Sequence, residues 1–175
     1  DYLTTHLTPI CESAVRNEID MITIPLLEDS SVEDSEIRYK FKKLIVEFAK
    51  KFPNLKFSFE CELPIEGLYD ILELSDNFYV TYDTGNITSY GLPHEKYIDA
   101  FYQKINNVHL KDRTYDARTV YPTTGDTNFK LIFKKLASLG YNGPYTMQTA
   151  RGMTGFEAWT VLDHKEILQG LYNAK

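Results

Sequence analysis

Phe78-Tyr-Val-Thr-Tyr-Asp83 is a short run of aromatic and β-branched residues that stops on a carboxylate and is followed at once by Thr84-Gly85. That is the composition of a buried strand closed by turn chemistry. Three further runs repeat the design: Lys56-Phe-Ser-Phe-Glu60, Ile105-Asn-Asn-Val-His109-Leu-Lys-Asp112 and Gly143-Pro-Tyr-Thr-Met-Gln148. Met21-Ile-Thr-Ile-Pro25 supplies a fifth strand. The segments between them carry helical periodicity, and strand–helix alternation of this kind argues for parallel strands joined by crossover helices.

In a parallel barrel the C-terminal ends of all strands open on one face, so polar residues that end successive strands converge there although they lie far apart in sequence. Glu60, Asp83 and His109 end three of the runs and Gln148 completes the series. Two carboxylates and an imidazole at one mouth suit Zn, Mn or Co.

Working outward, Thr8-Pro9 reads as a helix start leading through Ile10 to Glu18. Ser31 to Ser35 supplies cap chemistry for a helix whose stripe is Ile37, Phe41, Leu44, Ile45, Phe48 and Phe52. Lys40, Lys42, Lys43, Glu47, Lys50 and Lys51 take its wet side, and the charge run there reads as a solvated face rather than a phosphate site. Further helices are expected over 66–74, 94–104, 128–139 and 156–172. Asp126 or Thr127 caps the fifth of the six, with Phe129, Ile132, Phe133 and Leu136 as its buried stripe. Trp159, Leu162, Ile167 and Leu171 are the expected packing residues of the last.

The chain has 175 residues, 43% hydrophobic and 14% aromatic, which suits one globular domain over 1–175. An eight-stranded barrel takes about 250 residues, so five strand–helix units read as the C-terminal part of a (β/α)8 barrel. The expectation is that its N-terminal strands are absent from this chain or come from another one, since a half-built barrel leaves unpaired strand edges. An open doubly wound sheet is the alternative. It is disfavoured because polar residues end nearly every strand instead of gathering at one crevice.

A net charge of −6 and a pI of 5.2 disfavour broad binding of nucleic acid. Cys11 and Cys61 form no closely spaced pair, so neither a disulfide framework nor a cysteine zinc site is suggested, and a reducing, cytoplasmic setting fits. No apolar run is long enough for a membrane span, and the aromatic content of the outer helices is compatible with a homo-oligomer. His6, His94 and His164 have no ligand partners in sequence and read as structural or surface residues.

Tyr82-Asp-Thr-Gly-Asn86, Val108-His-Leu-Lys-Asp112, Leu139-Gly-Tyr-Asn-Gly-Pro-Tyr145 and Thr124-Gly-Asp-Thr-Asn-Phe129 together resemble the sugar phosphate isomerase/epimerase family of xylose-isomerase-like TIM barrels. The resemblance spans nearly the whole chain. It implies that Glu60, Asp83 and His109 bind one divalent metal (Mn, Zn, Co or Mg) and that Gln148 stands at a fourth ligand place usually held by Glu. It also implies a small sugar, sugar phosphate or polyol as substrate, with a proton moved next to a metal-polarised carbonyl and Glu60 as base. Lys111 is expected to assist catalysis, and Asn86, Glu66, Arg113 and Arg151 to contact substrate, Arg151 being the favoured phosphate contact.

The amide at Gln148 can coordinate a cation but cannot accept a proton. Inversion of a carbon needs two bases, so one-base aldose–ketose isomerisation survives the substitution better. A dehydratase or lyase step, with an acid at Lys111, Asp112 or Glu66, survives too. Two other functions remain open: a barrel altered in catalysis that serves as a binding or regulatory module, and a metallohydrolase of the apurinic-site endonuclease kind. Four histidines and an acidic pI weigh against the second.

Overall fold

The computed structural model describes residues 3–175. Five parallel strands alternate with helices, the α/β pattern of a partial (β/α)8 barrel, in the order β1 (Met21–Leu26), β2 (Lys56–Cys61), β3 (Phe78–Asp83), β4 (Ile105–Leu110) and β7 (Tyr145–Met147). The chain divides into two compact units, one ending at Thr81 and the other beginning at Tyr82, so the division falls inside strand β3.

The first unit opens with a π-helical turn, Leu3–Leu7, and continues through α1 (Thr8–Arg16), β1 (Met21–Leu26), a 3-10 turn (Glu28–Ser30), α2 (Ser35–Ala49), β2 (Lys56–Cys61), α3 (Ile65–Leu72) and β3 (Phe78–Asp83). β1 runs parallel to β2 from Met21 opposite Lys56 to Leu26 opposite Cys61. β2 runs parallel to β3 from Phe57 opposite Phe78 to Phe59 opposite Val80. Asp34 caps α2 by accepting the Glu36 and Ile37 amides at 2.9 Å each.

Successive strand residues face opposite sides of a sheet, and the two sides of this unit differ in chemistry. On one side Phe57 and Phe59 meet α2, edge-on to Phe48 at 6.1 Å and to Phe41 at 5.9 Å. Each buried phenyl is worth about 1.5–3 kcal/mol against exposure. On the other side three hydroxyls form a row, Thr23 to Thr81 at 3.1 Å and Ser58 to Thr81 at 2.6 Å. Ile37 and Leu44, expected in the apolar stripe of α2, are about half exposed, and Ile45, Phe48 and Ala49 carry the burial.

The second unit runs from the end of β3 through α4 (Thr84–Ser89), α5 (His94–Phe101), β4 (Ile105–Leu110), β5 (Asp112–Arg113), β6 (Thr119–Val120), α6 (Phe129–Ser138), β7 (Tyr145–Met147) and α7 (Glu157–Asn173). β4 and β7 are parallel, Val108 opposite Tyr145 and His109 opposite Thr146. β5 and β6 make a small antiparallel ribbon. The expected stripe of α6 is buried in full, but its cap is Asn128, which accepts the Leu131 amide at 3.1 Å, rather than Asp126 or Thr127.

On α7 the expectation is corrected. Trp159 and Leu162 are 63% and 64% exposed, and the buried positions are Thr160, His164 and Leu168, spaced four apart along one face. Among the described residues no helix is long and apolar enough to cross a membrane.

Candidate metal centre

In the second unit Asp83 ends β3 and His109 lies near the end of β4. Both are buried, and Asp83 Oδ2 lies 3.8 Å from His109 Nδ1. Asp83 also does what an Asp before Thr-Gly does locally, since its Oδ1 accepts the Asn86 amide at 2.9 Å and caps α4. Turn-starter and site residue are thus one side chain with its two oxygens divided between the roles. Capping leaves Oδ2 directed elsewhere, and there it meets Lys111 Nζ at 2.9 Å.

Lys111 is held at both ends. Thr84 Oγ1 donates to the Lys111 carbonyl at 2.7 Å and accepts the Lys111 amide at 3.0 Å. Its stem crosses Gly85 so closely that a Cβ there would lie 2.8 Å from Lys111 Cγ. The backbone tie and the glycine together bring the ammonium to Asp83 with only 10% of the side chain exposed.

Asp112, weighed from sequence as an acid, is fully buried and spends its oxygens on the backbone. Oδ2 accepts the Gly125 amide at 3.0 Å and Oδ1 the Thr127 amide at 3.2 Å. It clamps the turn that leads into α6. Arg113 is half-buried, with Nη1 donating to Ser89 Oγ at 3.3 Å.

Period-two alternation continues along β4 and β7. Asn107 and His109 share a face of β4, and Thr146 and Gln148 share one beside β7, where Thr146 Oγ1 donates to Asn107 Oδ1 at 3.1 Å. Gln148 is exposed one residue past β7, and its amide donates to the Leu110 carbonyl at 3.1 Å, which carries the parallel pairing one step further. Asn86 is buried in α4, and Arg151 is exposed in the segment after β7. In the first unit Glu60 is buried near the end of β2, two residues beyond Ser58 and on the same face, and Glu66 is exposed in the first turn of α3.

His94, read from sequence as structural, forms a buried network that the sequence did not disclose. Tyr82 Oη lies 2.5 Å from Nδ1 and Thr88 Oγ1 lies 3.0 Å from Nε2. Thr88 donates its only hydroxyl proton to the Thr84 carbonyl at 2.8 Å, so it accepts from His94 Nε2–H, and Nδ1 accepts from the Tyr82 hydroxyl. Burial pushes the imidazole down to about 4 and the Tyr82 hydroxyl well above the usual phenol range.

Residues 59–165, more than half of the chain, match the family described as xylose isomerase-like TIM barrel. The chain belongs to this family. No curated protein matches the sequence. Among solved structures, a D-tagatose 3-epimerase-like protein is 22% identical with a TM-score of 0.74, covering 94% of this chain and 66% of its own. A xylose isomerase-like TIM barrel protein from Mycobacterium smegmatis, in complex with magnesium, is 14% identical with a TM-score of 0.68, covering 94% and 65%. D-Psicose 3-epimerase from Clostridium cellulolyticum H10, with D-tagatose, is 16% identical with a TM-score of 0.65, covering 95% and 65%. At these identities the likeness is one of fold, and the chain spans about two thirds of the length of these structures. Within the second unit, Asp83 and His109 bring a buried carboxylate and a buried imidazole together at neighbouring strand ends.

Proposed function

We propose that this chain carries the catalytic residues of a metal-dependent isomerase or epimerase acting on a sugar, sugar phosphate or polyol. The observation that carries the reading is the pair Asp83 and His109, two ligand-type side chains buried at strand ends with donor atoms 3.8 Å apart. Their placement at the ends of parallel strands is where barrel enzymes keep their reacting groups.

Glu60 and Gln148 complete the proposed ligand set. The donors fit a divalent ion such as Mn, Zn, Co or Mg: carboxylate and amide oxygens with one imidazole. Held by these residues, such an ion would supply Lewis-acid polarisation of a substrate carbonyl. Glu60 takes the proton from the hydroxyl-bearing carbon next to the carbonyl and delivers it to the former carbonyl carbon, while the hydroxyl proton passes to the former carbonyl oxygen. Lys111 orients the substrate oxygens from its position beside Asp83, and Asn86, Glu66, Arg113 and Arg151 bind hydroxyl or phosphate groups. Gln148 hydrogen-bonds but accepts no proton, so one-base aldose–ketose isomerisation is favoured over inversion.

The test is metal content of the purified chain together with solvent deuterium uptake into ketoses followed by NMR. About one Mn, Zn or Co per chain, lost in Asp83→Asn and His109→Ala, is the expected result. Glu60→Gln is expected to remove deuterium uptake. A chain that holds no metal after soaking in Mn and Zn would sink the proposal.

A further inference from the structure

Within the second unit, the side of the sheet turned away from His109 carries a cavity of its own. Neighbouring residues of a strand face opposite ways, so Leu110, Tyr145 and Met147 point away from the side that bears His109 and Thr146. Leu110 stands opposite Met147 in the β4–β7 register. Lys165, Leu168, Gln169 and Tyr172 recur at the three- and four-residue spacing that puts them on one stripe of α7. Between that stripe and the strand residues lies a cavity of about 250 Å³. An apolar cavity of about 150 Å³ already holds one benzene ring, so this one suits a single ring with a small substituent.

The body of the cavity is apolar and aromatic. Leu110, Phe133 and Leu168 are buried, and Phe133 lies edge-on to Tyr145 at 5.7 Å and to Tyr172 at 5.5 Å, with Tyr145 and Tyr172 edge-on at 5.6 Å. These rings pack on one another, and Lys175 Nζ already sits 3.0 Å from the centre of the Tyr172 ring. They do not form an open cage for a cation. The polar groups at the wall include two phenols and an ammonium. Neither the Tyr145 nor the Tyr172 hydroxyl has a hydrogen-bond partner among the described residues. Burial pushes the Tyr145 phenol up to about 12, so it keeps its proton and can donate at neutral pH. Lys165 has no acidic partner among the described residues, and no carboxylate lines the cavity.

A neutral ring would fill the apolar part and leave the ammonium to water, and a cationic ligand would be repelled by Lys165. A carboxylate on the ring turns the same donors into charge-assisted hydrogen bonds. We propose that this cavity binds a monocyclic aromatic carboxylate, its ring between β7 and α7 and its carboxylate on Lys165 and the two phenol hydroxyls. The site shares no residue with the ligand set proposed above, and its occupancy does not depend on that reading.

Benzoate is the probe, with benzamide as its uncharged counterpart. Met147 lines the cavity, so its methyl resonance, assigned by Met147→Leu, reports on occupancy during an NMR titration, with calorimetry in parallel. The expected result is a saturable shift of that methyl, with benzoate about five-fold tighter than benzamide. Lys165→Met is expected to bring benzoate down to the benzamide level, with benzamide binding and the unfolding curve unchanged. Tyr172→Phe, which removes only a hydroxyl, is expected to weaken benzoate and spare benzamide. Equal affinities for the two probes, or a benzoate response untouched by both substitutions, would overturn the carboxylate assignment. Benzoate heat without a Met147 shift would place the ligand elsewhere and overturn the site, as would the absence of both heat and shift.

Discussion

Lys111 Nζ lies 2.9 Å from Asp83 Oδ2, and it reaches there because residue 85 has no side chain, its stem passing where a Cβ would sit 2.8 Å from Lys111 Cγ. The ammonium occupies the face of Asp83 that a metal would use, so lysine and metal supply positive charge to one carboxylate. Lys111→Met removes the internal cation. Leaving one half of a buried pair costs about 3–5 kcal/mol, and that loss is the expected outcome in metal-free buffer. Excess Mn should recover more stability in the variant than the wild type gains from it. Urea unfolding with and without Mn measures both, and equal gains in the two proteins would rule the shared-charge account out.

Asp112 gives a way to separate structure from chemistry within the same strand end. Asp112→Ala strips the Gly125 and Thr127 amides of their acceptor and is expected to cost about 2–4 kcal/mol, with faster hydrogen exchange at those two amides. Asp112→Asn keeps an oxygen acceptor, so it should retain much of the stability and most of any isomerase activity. Loss of activity in a stably folded Asp112→Asn would make the side chain an acid rather than a clamp.

The strand ends were legible because their signal is local. Ser58 and Glu60, Thr81 and Asp83, Asn107 and His109, and Thr146 and Gln148 each place polar atoms two apart around an apolar or aromatic residue, which is what a polar face on a buried strand demands. Helix α4 was not legible. Thr84-Gly-Asn-Ile-Thr-Ser89 is poor in helix formers, and the helix depends on the Asp83 cap, the Thr88 hydroxyl on the Thr84 carbonyl and the burial of Ile87. The β5–β6 ribbon has two residues per strand, too few to show a period. Trp159 and Leu162 read as packing residues by type alone, whereas α7 buries Thr160, His164 and Leu168. Close approach at Gly152 and the hydroxyl of Thr149 make that face the inner one, and neither leaves a hydrophobic trace in sequence.

His94 carries a pH dependence whose sign follows from burial. Its imidazole protonates near 4 in the folded chain and near 6.5 when unfolded, so the unfolded chain binds more protons between those values. The stabilisation is fully present above about pH 6.5 and is lost as pH falls through 4. At 1.36 kcal/mol per unit it amounts to about 3 kcal/mol. Subtracting the unfolding free energies of His94→Gln from those of the wild type across pH 4–7 isolates this group from the other titrating residues. A flat difference would show that the Tyr82–His94–Thr88 network titrates as it does in the unfolded chain.

Gln148 is where the proposed ligand set departs from the family pattern, and its surroundings make the reverse substitution mild. The side chain is exposed, while the backbone amide, which any residue provides, makes the bond to Leu110. Gln148→Glu should therefore leave the unfolding curve within about 0.5 kcal/mol, the range of ordinary surface changes. A carboxylate in place of the amide adds a full charge to the donor set, and Mn affinity is expected to rise about ten-fold, equivalent to about 1.4 kcal/mol. Calorimetric titration of Mn into both proteins measures this directly. A gain of epimerase activity alongside tighter Mn would mean that the second base was the missing part of a two-base site. Tighter Mn with loss of an existing isomerase activity would mean that the chain uses the amide as it stands, holding the substrate without competing for its proton. Unchanged Mn affinity would remove residue 148 from the ligand set and leave Glu60, Asp83 and His109 as the whole of it.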